Sequence, residues 1–283
     1  MVLPASLRLA RRRATWRALG AALRGRPIPT AVGAGDGILL VRLRNGRVIH
    51  VDTADAMLAP ELIHRGQWET KVEAALHRLV EPGQTIAEAG ANLGVHSLTI
   101  AERVGPSGRL HSIEPNPHLA ALLRRSLMAN RLHARATLHQ AALGDHDGVA
   151  TLWIDPHSLG GASTLWRAPQ SHPVQQTVPL TRLDTLLAGT AELHGLRMDI
   201  EGAEALALAG AREVLARSPR AWVLLEWLPV VMPGGSQGPA KLIETLQAQG
   251  FRHLALVRPD GTGEPIEAGR LLGVASAEVL ARR

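Results

Sequence analysis

The chain has 283 residues, 46% of them hydrophobic, which is ample for the core of one large α/β domain or two small ones. Cysteine is absent, which excludes disulfides and thiolate metal sites, and tyrosine is absent, which excludes a catalytic phenol. The net charge of +6 would point to nucleic acid or a membrane surface, but seven arginines and no acid fall in residues 1–35, leaving 24 basic against 25 acidic residues elsewhere.

The basic leader, residues 1–35, has Arg17 inside its apolar stretch and so lacks the core of a signal peptide, which makes a cytoplasmic location the expectation. No run of roughly 18 apolar residues occurs, which argues against a membrane span. Arginines surround the helical wheel from Ser6 to Arg24, leaving two readings: a solvated helix or mobile tail, and peripheral contact with anionic surfaces.

Residues 36–78 read as a small N-terminal extension. Apolar runs at Ile38–Leu43 and Val48–Val51 flank Asn45-Gly46, a hairpin signal, and Val72, Ala75, Leu76 and Leu79 recur at helical spacing. From residue 79 to 283, strand and helix patterns alternate, as in a Rossmann-like parallel sheet with helices on both faces. Strands are expected at Thr85–Ala89, Arg109–Ile113, Thr137–Ala142, Gly195–Met198 and Ala221–Glu226, with a final antiparallel pair at His253–Val257 and Leu271–Ala275. Helices are expected at Val95–Val104, His118–Asn130 and Pro239–Gln249, and a hairpin-like insertion spans Val149–Val178.

Three stretches carry chemistry. Glu88-Ala89-Gly90-Ala91-Asn92-Leu93-Gly94 lies where the first strand of the alternation turns into its helix, so backbone N–H groups at a helix start can approach a ligand closely. Glu114 follows the next strand, where a carboxylate can accept both hydroxyls of a ribose. These two features serve a nicotinamide dinucleotide as well as other nucleosides. The third stretch, Asp199-Ile200-Glu201-Gly202-Ala203-Glu204, clusters acids at a strand end facing the ligand crevice, although Glu204 also suits a helix start for its dipole alone.

These stretches, with Gly66-Gln67-Trp68-Glu69, His96-Ser97-Leu98, Ile113-Glu114-Pro115-Asn116-Pro117, Ala142-Leu143-Gly144, Val178–Asp184 and Leu224-Leu225-Glu226, resemble the FkbM-type methyltransferases over residues 66–276. The resemblance implies S-adenosylmethionine as cofactor and O-methylation of a sugar or natural-product hydroxyl. It places Glu88, Gly90, Asn92, Gly94, Glu114 and Ala142 at the cofactor. Asp199 becomes the first candidate for general base and Glu226 the second, with Ser163, Glu201 and His96 toward the acceptor. Glu88 stands where the family commonly has Asp, Arg197 where it has Lys, and His96 where it has an aromatic; the first two keep the charge.

Alternatives stay open at this level. An NAD-type oxidoreductase shares the glycine loop and the acid, but the loop reads G-A-N-L-G rather than G-x-G-x-x-G. A nucleic-acid methyltransferase recruited by the leader would want aromatics for base stacking, which are scarce, so no nucleic-acid partner is expected. The thirteen histidines show no metal-ligand spacing, so no dedicated metal site is assigned; Mg²⁺ between Asp199 and Glu226 is the alternative. The insertion around Gly160–Trp166 reads either as acceptor contacts over the crevice or as an ordinary hairpin.

Overall fold

A computed structural model describes residues 31–155, 158–159, 165, 174–233 and 238–283. The leader up to residue 30 and the insertion residues Gly160, Gly161, Ser163 and Trp166 therefore lie outside the described residues.

The N-terminal elements are β1 (Ala31–Gly35), β2 (Ile38–Arg42) and β3 (Val48–Asp52), an antiparallel meander, followed by α1 (Leu58–Arg65) and α2 (Thr70–Leu79). The hairpin forms as its Asn-Gly turn dictates, with Arg42 opposite Val48. β1 and α1 were not expected. β1 is Ala/Gly-rich and, among the described residues, pairs only with β2; α1 presents a single short apolar face, Leu58, Ala59 and Leu62, and stops at Gly66 in the left-handed conformation.

Next come β4 (Thr85–Ala89), α3 (Val95–Arg103), β5 (Arg109–Ile113), α4 (Pro117–Ala129) and β6 (Ala136–His139). Asn116 starts α4 by accepting the His118 N–H, with Pro117 in the first turn where a missing donor costs nothing. A small separate sheet holds β7 (Ala142–Leu143), β8 (Gly148–Ile154) and β9 (Val174–Thr181) in the order β7-β9-β8. The chain continues through α5 (Leu183–Leu186), β10 (Gly195–Met198), α6 (Glu204–Ala209), α7 (Arg212–Ala216), β11 (Trp222–Trp227) and α8 (Pro239–Ala248). It then runs through β12 (His253–Val257), β13 (Gly263–Ile266), α9 (Ala268–Leu271) and β14 (Ala277–Arg282).

The main sheet has the order β13-β12-β14-β11-β10-β4-β5-β6. From β11 to β6 every neighbour is parallel, and β14 enters antiparallel between β11 and β12. This is the Rossmann-like α/β architecture that the alternation predicted. Side chains alternate between two cores: Ile86, Leu110 and Leu224 pack toward α2–α4 and the N-terminal sheet, whereas Ala87, Leu196 and Val223 pack toward α6–α8.

Two boundaries differ from expectation. The strand expected over Thr137–Ala142 stops at His139, and Ala142 leaves for the small sheet, where it pairs with Leu180. The partner of β12 is not Leu271–Ala275 but β13 and β14; Leu271 ends α9, fully buried, and the Val274 carbonyl accepts the Trp227 indole N–H. That apolar run fills a core and satisfies a buried donor instead of building a strand. Among the described residues, no helix is long and apolar enough to cross a membrane.

Candidate active site

The carboxyl ends of β4, β5 and β10 converge on a crevice, as the switch in strand order between β4 and β10 requires. Two glycines shape its floor. Gly90 has φ of 76°, and a Cβ there would lie 1.7 Å from the Asp199 carbonyl oxygen, so the loop after β4 and the turn after β10 touch backbone to backbone. Gly94 has φ of 102° and faces Leu123 of α4 at 2.4 Å from where a Cβ would stand.

Glu114 stands between these segments, 5% exposed. Its Oε2 accepts the Asn92 N–H at 2.8 Å and its Oε1 accepts the Asn116 N–H at 2.9 Å. Asn92 aims its amide there by taking a left-handed φ of 52°, a conformation Asn tolerates. Burial pushes the Glu114 carboxyl up to about 7 against the pull of these two N–H groups. Each oxygen keeps a lone pair for a ligand hydroxyl.

Around Glu114 the wall is apolar: Ile113, Pro115, Ala142, Leu143, Leu152 and Leu165 line it. Leu152 and Leu165 belong to the insertion, so part of that segment lines the crevice; sequence reasoning named the stretch that holds Leu165 but not Leu152. Of the residues expected at the cofactor, Gly90, Glu114 and Ala142 line the crevice. Asn92 and Gly94 hold the loop that frames it. Glu88 lies underneath, fully buried, accepting the Ser97 hydroxyl, with its other oxygen 4.0 Å from Arg197 Nη1 and without a hydrogen-bond partner. Burial raises its pKa above the usual carboxylate range, opposed by the Arg197 charge.

The other end of the crevice is acidic. Asp199 and Glu201 line it, and Glu226, at the end of β11, completes a triad whose carboxylate oxygens lie within 4.8 Å of one another. Burial first, then the Asp199 charge, pushes Glu201 up to about 8 and Glu226 up to about 9. Glu278 of β14 sits directly opposite Glu226 in the antiparallel register and is raised to about 7, mainly by burial. Three oxygen ligands so close suit a divalent cation sterically.

Arg197 counters this charge. Nearly fully buried, it donates from Nη2 to Asp199 Oδ2 at 2.8 Å and from Nη1 to the Gly90 carbonyl at 3.1 Å. Glu204, at the start of α6, accepts the Ile200 N–H at 3.0 Å and so braces the acidic turn as a helix-start acid. His96 is buried against Glu69, with Nε2 2.8 Å from Glu69 Oε2, and does not line the crevice. Glu69, Arg197 and Glu278 were not assigned roles from sequence; Glu69 lay within the Gly66–Glu69 block, a signal that could have been followed.

Residues 88–253 match the model of the methyltransferase FkbM domain. The chain belongs to this family. The FkbM domain therefore covers the glycine loop, Glu114, the acidic turn and Glu226, the residues that build the crevice. A protein-L-isoaspartate O-methyltransferase of Methanothrix thermoacetophila is 42% identical over 45 residues, 16% of this chain and 21% of that protein, so the match spans about a fifth of the curated relative. Among solved structures, fibrillarin of Aeropyrum pernix with natively bound S-adenosyl-L-methionine aligns at 15% identity over 89% of this chain and 98% of its own, with a TM-score of 0.44. An S-adenosylmethionine-dependent O-methyltransferase of Thermotoga maritima aligns at 14% identity over 86% and 76% of the two chains, with a TM-score of 0.43.

Proposed function

We propose that this FkbM-family protein transfers the methyl group of S-adenosylmethionine to a hydroxyl of a sugar or natural-product acceptor. The observation that carries the reading is the sign of the crevice. Among the described lining residues the ionisable side chains are Glu114, Asp199 and Glu201, all acids, and the one basic group nearby, Arg197, stands behind Asp199 rather than in the lining. S-adenosylmethionine brings a sulfonium and an ammonium, which such a wall attracts; a dinucleotide brings a pyrophosphate, which it repels. Glu114 receives the ribose hydroxyls, and the apolar wall around Ala142 and Leu152 receives the adenine.

Transfer forms a bond between the acceptor oxygen and the methyl carbon while the carbon–sulfur bond breaks and its electron pair returns to sulfur. The hydroxyl proton passes to Asp199, which Arg197 holds at its other oxygen. Positioning supplies most of the rate, and the base adds typically about 10²–10⁴-fold. Glu226 is the second candidate base, and Glu201 and Ser163 remain the candidates for acceptor contacts, whereas His96 is buried against Glu69 away from the crevice. Titration calorimetry tests the first half: S-adenosylmethionine and its demethylated product should bind, and NAD should not. Tighter binding of NAD would overturn the reading. A panel of sugar and polyketide hydroxyl compounds, read by methyl incorporation, then tests the acceptor class.

A further inference from the structure

The Gly66–Glu69 block has no place in the chemistry above, yet it reaches the site. Glu69 enters α2 with φ of 40°, a left-handed value that a residue with a Cβ adopts only when its surroundings hold it there. Its carboxylate is anchored beyond that turn. Oε2 meets His96 Nε2 at 2.8 Å and Arg197 Nη2 at 3.4 Å, and against burial these contacts pull the group down to about 2, so it stays ionised. The same guanidinium binds the Gly90 carbonyl and the Asp199 carboxylate. One planar cation thus ties together the glycine loop, the acidic turn and the start of α2, segments 107 and 128 residues from Arg197 on the loop and helix sides.

We propose that Arg197 and Glu69 are a positioning pair: Arg197 fixes the Gly90 carbonyl and the Asp199 carboxylate relative to each other, and Glu69 holds the guanidinium in that pose. The pair thereby makes the segment ahead of the sheet a working part of the cofactor site. In this chain, where the family commonly has lysine, the contacts are those of an arginine. Nη1 and Nη2 point to different partners at fixed angles, whereas a lysine ammonium is a single point charge on a flexible stem and cannot serve the Gly90 carbonyl, Asp199 and Glu69 in the same directions. Because Gly90 has no side chain and lies against the Asp199 carbonyl, a small displacement of either segment passes directly to the other.

The pair rests on the methyltransferase reading, and the test separates the two. Whole-chain wild type, Arg197→Lys, Glu69→Gln and the double variant are titrated with S-adenosylmethionine and S-adenosylhomocysteine, and their unfolding temperatures are measured without ligand. Arg197→Lys keeps the charge, so a loss of affinity reports geometry. The expected result is binding of both ligands weaker by about tenfold or more, the size of a lost hydrogen bond to a charged group. Glu69→Gln should weaken both by about threefold, and the double variant should match Arg197→Lys, because Glu69 acts through the guanidinium. A role in fold stability alone would lower the unfolding temperature and leave both affinities within about twofold of wild type, and that result overturns the pair. Should Arg197→Lys fail to fold, Glu69→Gln at its partly exposed site decides the matter by the same criterion. Wild type that binds neither ligand refutes the methyltransferase reading and the pair together; wild type that binds both, with unaltered variants, refutes the pair alone.

Discussion

The two ends of the crevice are built on opposite principles. Around Glu114 the walls are apolar, and the one buried carboxyl has both oxygens satisfied by the N–H groups of Asn92 and Asn116. Around Asp199 four carboxyls crowd together, with Glu201, Glu226 and Glu278 all raised by burial and mutual repulsion. The first is the end assigned to recognition in the proposed function: shape and satisfied hydrogen bonds cost the fold little. The second is the end assigned to reaction in the proposed function, and its crowded carboxyls carry an electrostatic penalty that a cationic ligand would relieve.

The largest effect should come from the reactive end. Asp199→Asn keeps the shape of the side chain and should lower the methylation rate by about 10²–10⁴-fold while cofactor affinity stays within a few-fold. Near-normal turnover on a true acceptor would move the search for the base to Glu226. The same assay with EDTA separates a second role for these acids. With Asp199 as base the wild-type rate is unaffected, whereas EDTA inhibition reversed by Mg²⁺ would make Asp199, Glu201 and Glu226 a cation site.

The recognition end should respond in affinity rather than rate. Glu114→Ala is expected to weaken S-adenosylmethionine by about 1.5–3 kcal/mol, or roughly 10- to 150-fold, the range for hydrogen bonds to a charged group. An unchanged dissociation constant in a folded variant would remove the ribose assignment.

A pH series tests the penalty itself. Glu226 moves from 4.5 in a free carboxyl to about 9 in the fold, through burial and the charges of Asp199 and Glu201. Between those values the unfolded chain releases a proton that the native state keeps, so wild-type stability is full below about pH 4.5 and falls as pH rises toward about 9. Glu226→Gln cannot ionise. It should therefore match wild type in thermal unfolding near pH 5 and exceed it above about pH 8. Equal unfolding temperatures at both pH values would mean that the acidic end is not strained.

The recognition end was the more legible in the sequence, because its determinants are local. Gly90, Asn92 and Gly94 fall within one turn, and Glu114 follows the next strand at a spacing the fold fixes. The reactive end depends on which strands lie side by side. Arg197 reads in sequence as a departure from a family lysine; only the register placing it beside Glu88 on β4 makes it a buried hub. Glu278 gave no signal at all, since its partner Glu226 lies 52 residues earlier and meets it only through antiparallel pairing. The misplaced final strand has the same origin: Leu271–Ala275 is more apolar than most of β14, and composition cannot distinguish a run that packs under a sheet from one that joins it.

The placement of β14 also governs how the protein can be made. A ribosome delivers the chain in order, so β4, β5, β6, β10 and β11 emerge and can associate while the slot between β11 and β12 still stands open. Only when residues 277–282 have been synthesised does that slot fill and the sheet become continuous. A premature stop shortly before Ala277 would leave two adjacent strands with exposed N–H and C=O groups along facing edges, a template for pairing between molecules. Such a product would retain every residue of the recognition end and still be expected to accumulate as aggregate.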